Sequence, residues 1–219
     1  MQQKMTLKKE LSIGDWLIVC SNLFAIYGVW MLNWDAKIIF LVFCIETIVI
    51  GVFNFLQLGL IACSNDEQGK KSKLAGGLFL MLFFLVHYSI FVFAQLHIFL
   101  SIMKIHKIRI STTELIFSFQ KVMPNYALQY LGLFVASYFL GILKDFVFNG
   151  KYKTTSLTAQ MFTPYKRIFI QQFVVILGAF VLLLNPNGKY LILLFVPIKI
   201  FFELFIDYDS LLDEMNKDI

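Results

Sequence analysis

Charge is scarce in this chain: only 15% of its 219 residues are Asp, Glu, Lys or Arg, against roughly 25% in an ordinary soluble domain. Cysteine is scarcer still, and its odd count of 3 in unpaired spacing excludes a disulfide framework or a zinc knuckle. Cys20, Cys44 and Cys63 fall in or at the end of apolar segments, where a thiol acts as a small apolar side chain. Nucleophile and phosphate motifs are missing as well. There is no Gly-x-Ser-x-Gly, no His-Glu-x-x-His and no Gly-Lys-Ser/Thr loop. A nucleic-acid motif is also lacking, so the net charge of +5 does not indicate a DNA-binding face.

What fills the chain instead is apolar: 59% of residues are hydrophobic, 25 of them Phe, and they run in blocks rather than at amphipathic spacing. About 20 apolar residues carry a helix across the hydrocarbon core of a bilayer. Six segments meet or approach that length, at 16–34, 38–63, 74–103, 125–147, 168–185 and 190–206. The expected fold is therefore all-α, a single transmembrane domain over 1–219 in which six helices form an integral membrane bundle. Lys4, Lys8 and Lys9 precede the first segment as in a signal peptide. Its length and the lack of a small-x-small cleavage site make it a retained span instead.

Basic residues set the orientation. With the N-terminus inside, the cytoplasmic segments hold Lys4, Lys8, Lys9, Lys70, Lys71, Lys73, Lys151, Lys153, Lys166, Arg167 and Lys217. The outer segments hold Lys37, Lys104, Lys107, Arg109, Lys121 and Lys189. Eleven against six places both termini in the cytoplasm of a plasma (inner) membrane protein. Asp35-Ala36-Lys37 and Pro186-Asn187-Gly188 are tight turns that make two helical hairpins. Between spans three and four, Ser111-Thr112-Thr113-Glu114 has capping-box spacing, followed by Leu115, Phe119 and Val122 on one face. This predicts a short amphipathic helix in the membrane interface. Residues 149–163 are polar and read as an irregular loop.

Function should sit where the apolar blocks carry polar groups, because a central Lys or Asp costs about 2.5–3.5 kcal/mol on insertion scales and needs a partner. Glu46 and Asn54 lie in span two, His87 and His97 in span three, Arg167 at the start of span five, and Lys199 and Glu203 in span six. Lys199 is the sharpest of these. Pro197 frees the carbonyl of Leu193 nearby, and a Lys preceding Glu203 by four residues is the weaker orientation for an ion pair. A partner on another helix, such as Glu46, is expected.

Three readings follow. Glu46, Asn54, His87, His97, Arg167, Lys199 and Glu203 could line a polar pathway for proton-coupled movement of a small ion or solute, with His87 as a switch. Glu46 and His97 could instead hold a metal for hydrolysis within the membrane. His87 cannot join them, since ten residues of continuous helix separate it from His97 by about 15 Å. Third, the polar groups could simply tie helices together in a scaffold. Whether a cofactor binds is unknown from the sequence. The partners it implies are membrane lipids, together with a second copy or another membrane protein, and no nucleic acid.

Several of these residues carry a family resemblance. Trp34 and the run Glu46-Thr47-Ile48-Val49-Ile50-Gly51-Val52-Phe53-Asn54 resemble the second span of an uncharacterised multi-pass family of bacterial and archaeal membrane proteins, domain of unknown function 6498. His87-Tyr88-Ser89-Ile90-Phe91 with the later His97, Pro164-Tyr165-x-Arg167, and Lys199 resemble its third-, fifth- and sixth-span patterns. Ser89 stands where that pattern has Gly, Gln171 where it has His, and Glu203 where it has Asp. The Gln171 departure weakens any metal site that would recruit a histidine there. The resemblance implies the architecture and the location of a site, and no activity.

Overall fold

The computed structural model describes residues 13–64, 70–105, 117–184 and 189–205, and these form helices and short connections with no strand among them. Six long helices follow in order: α1 (Ile13–Met31), α2 (Ala36–Cys63), α3 (Lys70–Ile105), α4 (Asn125–Ile142), α5 (Leu157–Leu184) and α6 (Lys189–Phe205). Among the described residues three stretches are long and apolar enough to cross a membrane: Ala36–Cys63, Ala75–Ser101 and Asn125–Phe148.

The arrangement centres on α2, which packs against α3, α4, α5 and α6, while α1 lies against α4 and α6. Every residue from Ile38 to Thr47 is buried, so the first half of α2 is enclosed on all sides. A helix apolar all round belongs in such a position. Beyond Thr47 the buried set thins to Ile50, Gly51, Asn54, Leu58, Ile61 and Ala62, the spacing of one helix face. That face meets α3 and α5 through small residues. Ala62 fills the space above Gly77, and the Tyr88 ring occupies the space a side chain at Gly51 would need. Close approach of this kind replaces the hydrophobic drive that apolar surroundings cannot supply. The opposite face of α3 exposes Leu78, Phe79, Val86, Ile90 and Phe93.

The connection between α1 and α2 starts earlier than the first apolar segment suggests. Leu32 and Trp34 both donate backbone N–H bonds to the Gly28 carbonyl, at 3.1 and 3.0 Å, and Asn33 takes the left-handed conformation with φ 55°. Asn tolerates that region better than most side chains. The indole of Trp34 folds back over Gly28, stacking on Tyr126 at 5.0 Å and meeting Phe24 edge-on at 5.2 Å. Asp35 then caps α2 by accepting from the Lys37 N–H at 2.9 Å.

α4 runs on into a π-helical turn at Leu143–Phe148, which completes the fourth apolar segment, and there the Asn149 N–H reaches back five residues to the Lys144 carbonyl at 3.0 Å. Gly150, with φ 70°, ends it. The polar stretch 149–163 is not an irregular loop throughout. A 3₁₀ turn occupies Lys151–Lys153, and α5 begins at Leu157, so Pro164 lies inside the helix rather than before it. Ser156 accounts for the early start: its hydroxyl accepts from the Ala159 N–H at 3.1 Å, an N-cap that the polar composition obscured. Of the expected amphipathic helix, one turn at Phe119–Val122 is seen. The proposed capping box Ser111–Glu114, and the turn Pro186-Asn187-Gly188, lie outside the described residues.

Candidate functional site

The buried charges come together. Lys199 on α6 is 4% exposed and Glu46 on α2 is 0% exposed, and the Lys199 ammonium donates to the Glu46 carboxylate. The register of the two helices explains the meeting. Lys189 Nζ donates to Asn33 Oδ1 at 3.0 Å, and Trp30 meets Tyr190 edge-on at 5.7 Å, so α2 and α6 start at the same end of the bundle. Glu46 is ten residues past Ala36 and Lys199 is ten past Lys189. Each charge is therefore about 15 Å along its helix, half the thickness of a hydrocarbon core of about 30 Å.

Aromatic rings complete the ammonium's surroundings. Lys199 Nζ lies 4.2 Å from the Phe43 ring centroid on α2 and 5.8 Å from that of Phe134 on α4. A ring face stabilises a cation most when both are removed from water. Three helices thus hold one charged head, two of them through rings that were not among the candidates. Phe43 was detectable in principle, since it precedes Glu46 by three residues and so shares its face. Phe134 carried no such signal.

A second polar contact lies deeper along α2. Gln160 on α5 donates from Nε2 to Asn54 Oδ1 at 2.8 Å and to Gln57 Oε1 at 3.1 Å. Asn54 is eight residues, or about 12 Å, from Glu46. Between the two levels the Tyr88 hydroxyl donates to the Thr47 carbonyl, and its ring covers Gly51. Gln160 belongs to the stretch read as loop, which is why it was missed.

The histidines stand apart from each other. His87 is half-buried on α3 among rings, with centroids at 5.3 Å for Phe83, 5.1 Å for Phe91 and 5.5 Å for Tyr165. His97 is exposed on α3 and stacks on Phe93 at 6.0 Å. The pair considered for a metal is thus a buried carboxylate already bonded to an ammonium and an exposed imidazole. No group of three or more His, Cys, Asp or Glu side chains suited to a metal forms among the described residues. Arg167 and Glu203 lie in α5 and α6, but their side chains are outside the described set.

The arrangement defines a class: an all-helical protein, rich in apolar helices, with a lysine–carboxylate pair enclosed in the buried first half of its central helix. Within that class the chain belongs to the Family of unknown function (DUF6498), matched over residues 4–217. No curated protein and no solved structure matches it.

Proposed function

We propose that this is an integral membrane protein of six spans, with both ends in the cytoplasm, which couples proton movement to passage of a small ion or solute across a plasma (inner) membrane. The observation that carries the reading is the Glu46–Lys199 pair, two ionisable groups at matching depth in the least water-accessible part of the bundle. Ionisable groups inside a bilayer face the bundle interior, pair with each other, and mark ion pathways and proton relays. Protonating Glu46 would remove the negative charge that pairs with the ammonium, so a proton and the packing of α2 against α6 are linked through one contact. The three apolar helices and the apolar outer face of α3 support the membrane setting, with lipid as the surrounding partner. Asn54, His87, His97, Arg167 and Glu203 extend the pathway on the sequence argument alone.

A scaffold role is the second reading, and a specific observation favours it. The rings of Phe43 and Phe134 beside the ammonium, and the Tyr88 ring over Gly51, fill the space around the pair with side chains. One experiment separates the two. The protein is reconstituted in liposomes, a potassium gradient with valinomycin sets the potential, and an internal pH dye reports proton flux. Wild type is compared with Glu46→Met, Lys199→Met and the double variant. Coupled transport requires flux above empty liposomes and its loss, about tenfold or more, in the double variant even though that variant folds. Wild-type vesicles as tight as empty ones, or a folded double variant with full flux, would sink it.

A further inference from the structure

The fourth apolar stretch ends at Phe148, and the side chain there is 79% exposed. Lys144 precedes that ring by about one turn, Lys151 and Lys153 follow it in the 3₁₀ turn, and all three are exposed. An outward aromatic ring where an apolar stretch stops, flanked by long basic side chains, suits the boundary between acyl chains and headgroups.

The connection that carries these groups is held in shape by its own contacts. Phe146 is buried, the Tyr152 ring packs on it at 6.3 Å, and the Lys153 ammonium lies 5.7 Å from the Tyr152 centroid. The Lys151 carbonyl accepts from the hydroxyls of Thr154 at 3.2 Å and Thr155 at 2.8 Å. Gly150, in the left-handed conformation, turns the chain between the two basic turns.

A second set of lysines belongs to the same end of the bundle. Gly77 on α3 lies against Ala62 near the end of α2 and against Leu157 at the start of α5. Lys70, Lys71 and Lys73 occupy the first turn of α3, shortly before Gly77, and that turn has no acidic residue. Lys151 and Lys153 shortly precede Leu157. These lysines, with Lys144, outnumber Asp66, Glu67 and Asp145, the acidic residues of the same stretches. At the opposite end Lys189 is bonded to Asn33, and Lys37 follows the Asp35 cap.

We propose that the connection from Leu143 to Thr155 is a binding surface for anionic phospholipid headgroups. Lys144, Lys151 and Lys153 meet the phosphates, and Phe148 enters the adjoining acyl region. A lysine beside an anionic leaflet favours association by about fivefold. In the topology proposed above this end faces the cytoplasmic leaflet, where anionic lipid is concentrated. The inference rests on the membrane setting and is independent of transport.

The test places bimane on Phe148→Cys, in a background with Cys20, Cys44 and Cys63 replaced by Ala, so that an apolar label stands where the ring was. The full chain is reconstituted in vesicles of equal parts phosphatidylcholine and phosphatidylglycerol, with bromine on the acyl chains of one lipid or the other. Quenching by brominated phosphatidylglycerol should report about fivefold local enrichment. The ratio should fall to about one when Lys144, Lys151 and Lys153 are all changed to Gln, with helix content checked by circular dichroism. High salt should lower it without any change to the lysines, because exposed charges are screened. Equal quenching by the two lipids, a preference that survives the triple variant, or one insensitive to salt overturns the proposal. Inorganic phosphate should act no more strongly than chloride at equal ionic strength. A specific loss of the ratio in phosphate would make this a site for soluble anions and overturn the lipid assignment. A chain that floats with the vesicles but is quenched by neither lipid removes this surface alone, whereas a chain that does not float removes the membrane setting as well.

Discussion

The Tyr88 ring rests on the bare backbone of Gly51 while its hydroxyl bonds the carbonyl of Thr47, one turn earlier on the same helix. One side chain of α3 thereby fixes both the distance and the register of α3 against α2. Distance comes from the missing side chain at Gly51, and register from the hydroxyl.

The first prediction follows from that contact. Gly51→Ala places a methyl group inside the Tyr88 ring, which is itself hemmed in by Phe84 at 4.8 Å and Tyr165 at 6.2 Å. Overpacking a filled interior costs about 1–3 kcal/mol. Thermal unfolding in detergent should therefore show a lowered midpoint for Gly51→Ala. Gly132→Ala, inside α4 where nothing lies within 4 Å, serves as the control and should not fall, since Ala favours the helix. Equal midpoints for the two variants would show that Tyr88 does not hold α3 against α2.

How much of this was legible beforehand depended on whether the signal was local. Each of the six apolar segments is met by a long helix, because hydrophobic block length is written directly in the sequence. The Glu46–Lys199 contact was expected from the cost of a lone charge in an apolar segment, which forces a partner on some other helix. That Glu46 is the partner follows from equal depth, and equal depth needed the Asn33–Lys189 contact to show that α2 and α6 start together. Gln160 and the start of α5 went unread. There a single Ser156 cap outweighed a polar composition, and capping is a hydrogen bond that hydropathy does not register. The histidines carry a different limit. Residue type brought them forward, but which way a side chain of α3 faces is decided by packing, and His97 is exposed.

The second prediction concerns the energetics of the ion pair. Breaking a buried pair strands a charge and costs about 3–5 kcal/mol, whereas replacing both partners with apolar residues of similar volume is about neutral or stabilising. Glu46→Met and Lys199→Met should each lower the unfolding midpoint sharply. The double variant should recover to wild type or above. Destabilisation by the two single changes that simply adds in the double variant would mean that the carboxylate and the ammonium do not depend on each other in the folded protein. Phe43 and Phe134 bear on the size of the Glu46→Met effect, because their ring faces remain to stabilise the ammonium once the carboxylate is gone.

The third prediction addresses topology. The Asn33–Lys189 contact puts the α1–α2 connection and the start of α6 at one end of the bundle. Helix α2 alone spans 28 residues, or about 42 Å, away from that end, so Ser64 lies at the other. In the topology proposed above the Asn33 end is external and the Ser64 end cytoplasmic. Cysteines placed singly at Asp35 and at Gly150, in a background with Cys20, Cys44 and Cys63 replaced by Ala, should differ in access to an impermeant thiol reagent. In intact cells Asp35→Cys should label and Gly150→Cys should not, and both should label once the membrane is opened. The reverse pattern would invert the protein. Labelling of both sites in intact cells would show that the stretch between them does not separate two aqueous compartments. The mid-depth placement of Glu46 and Lys199 would then lose its meaning as a barrier, since that placement rests on α2 crossing the hydrocarbon core.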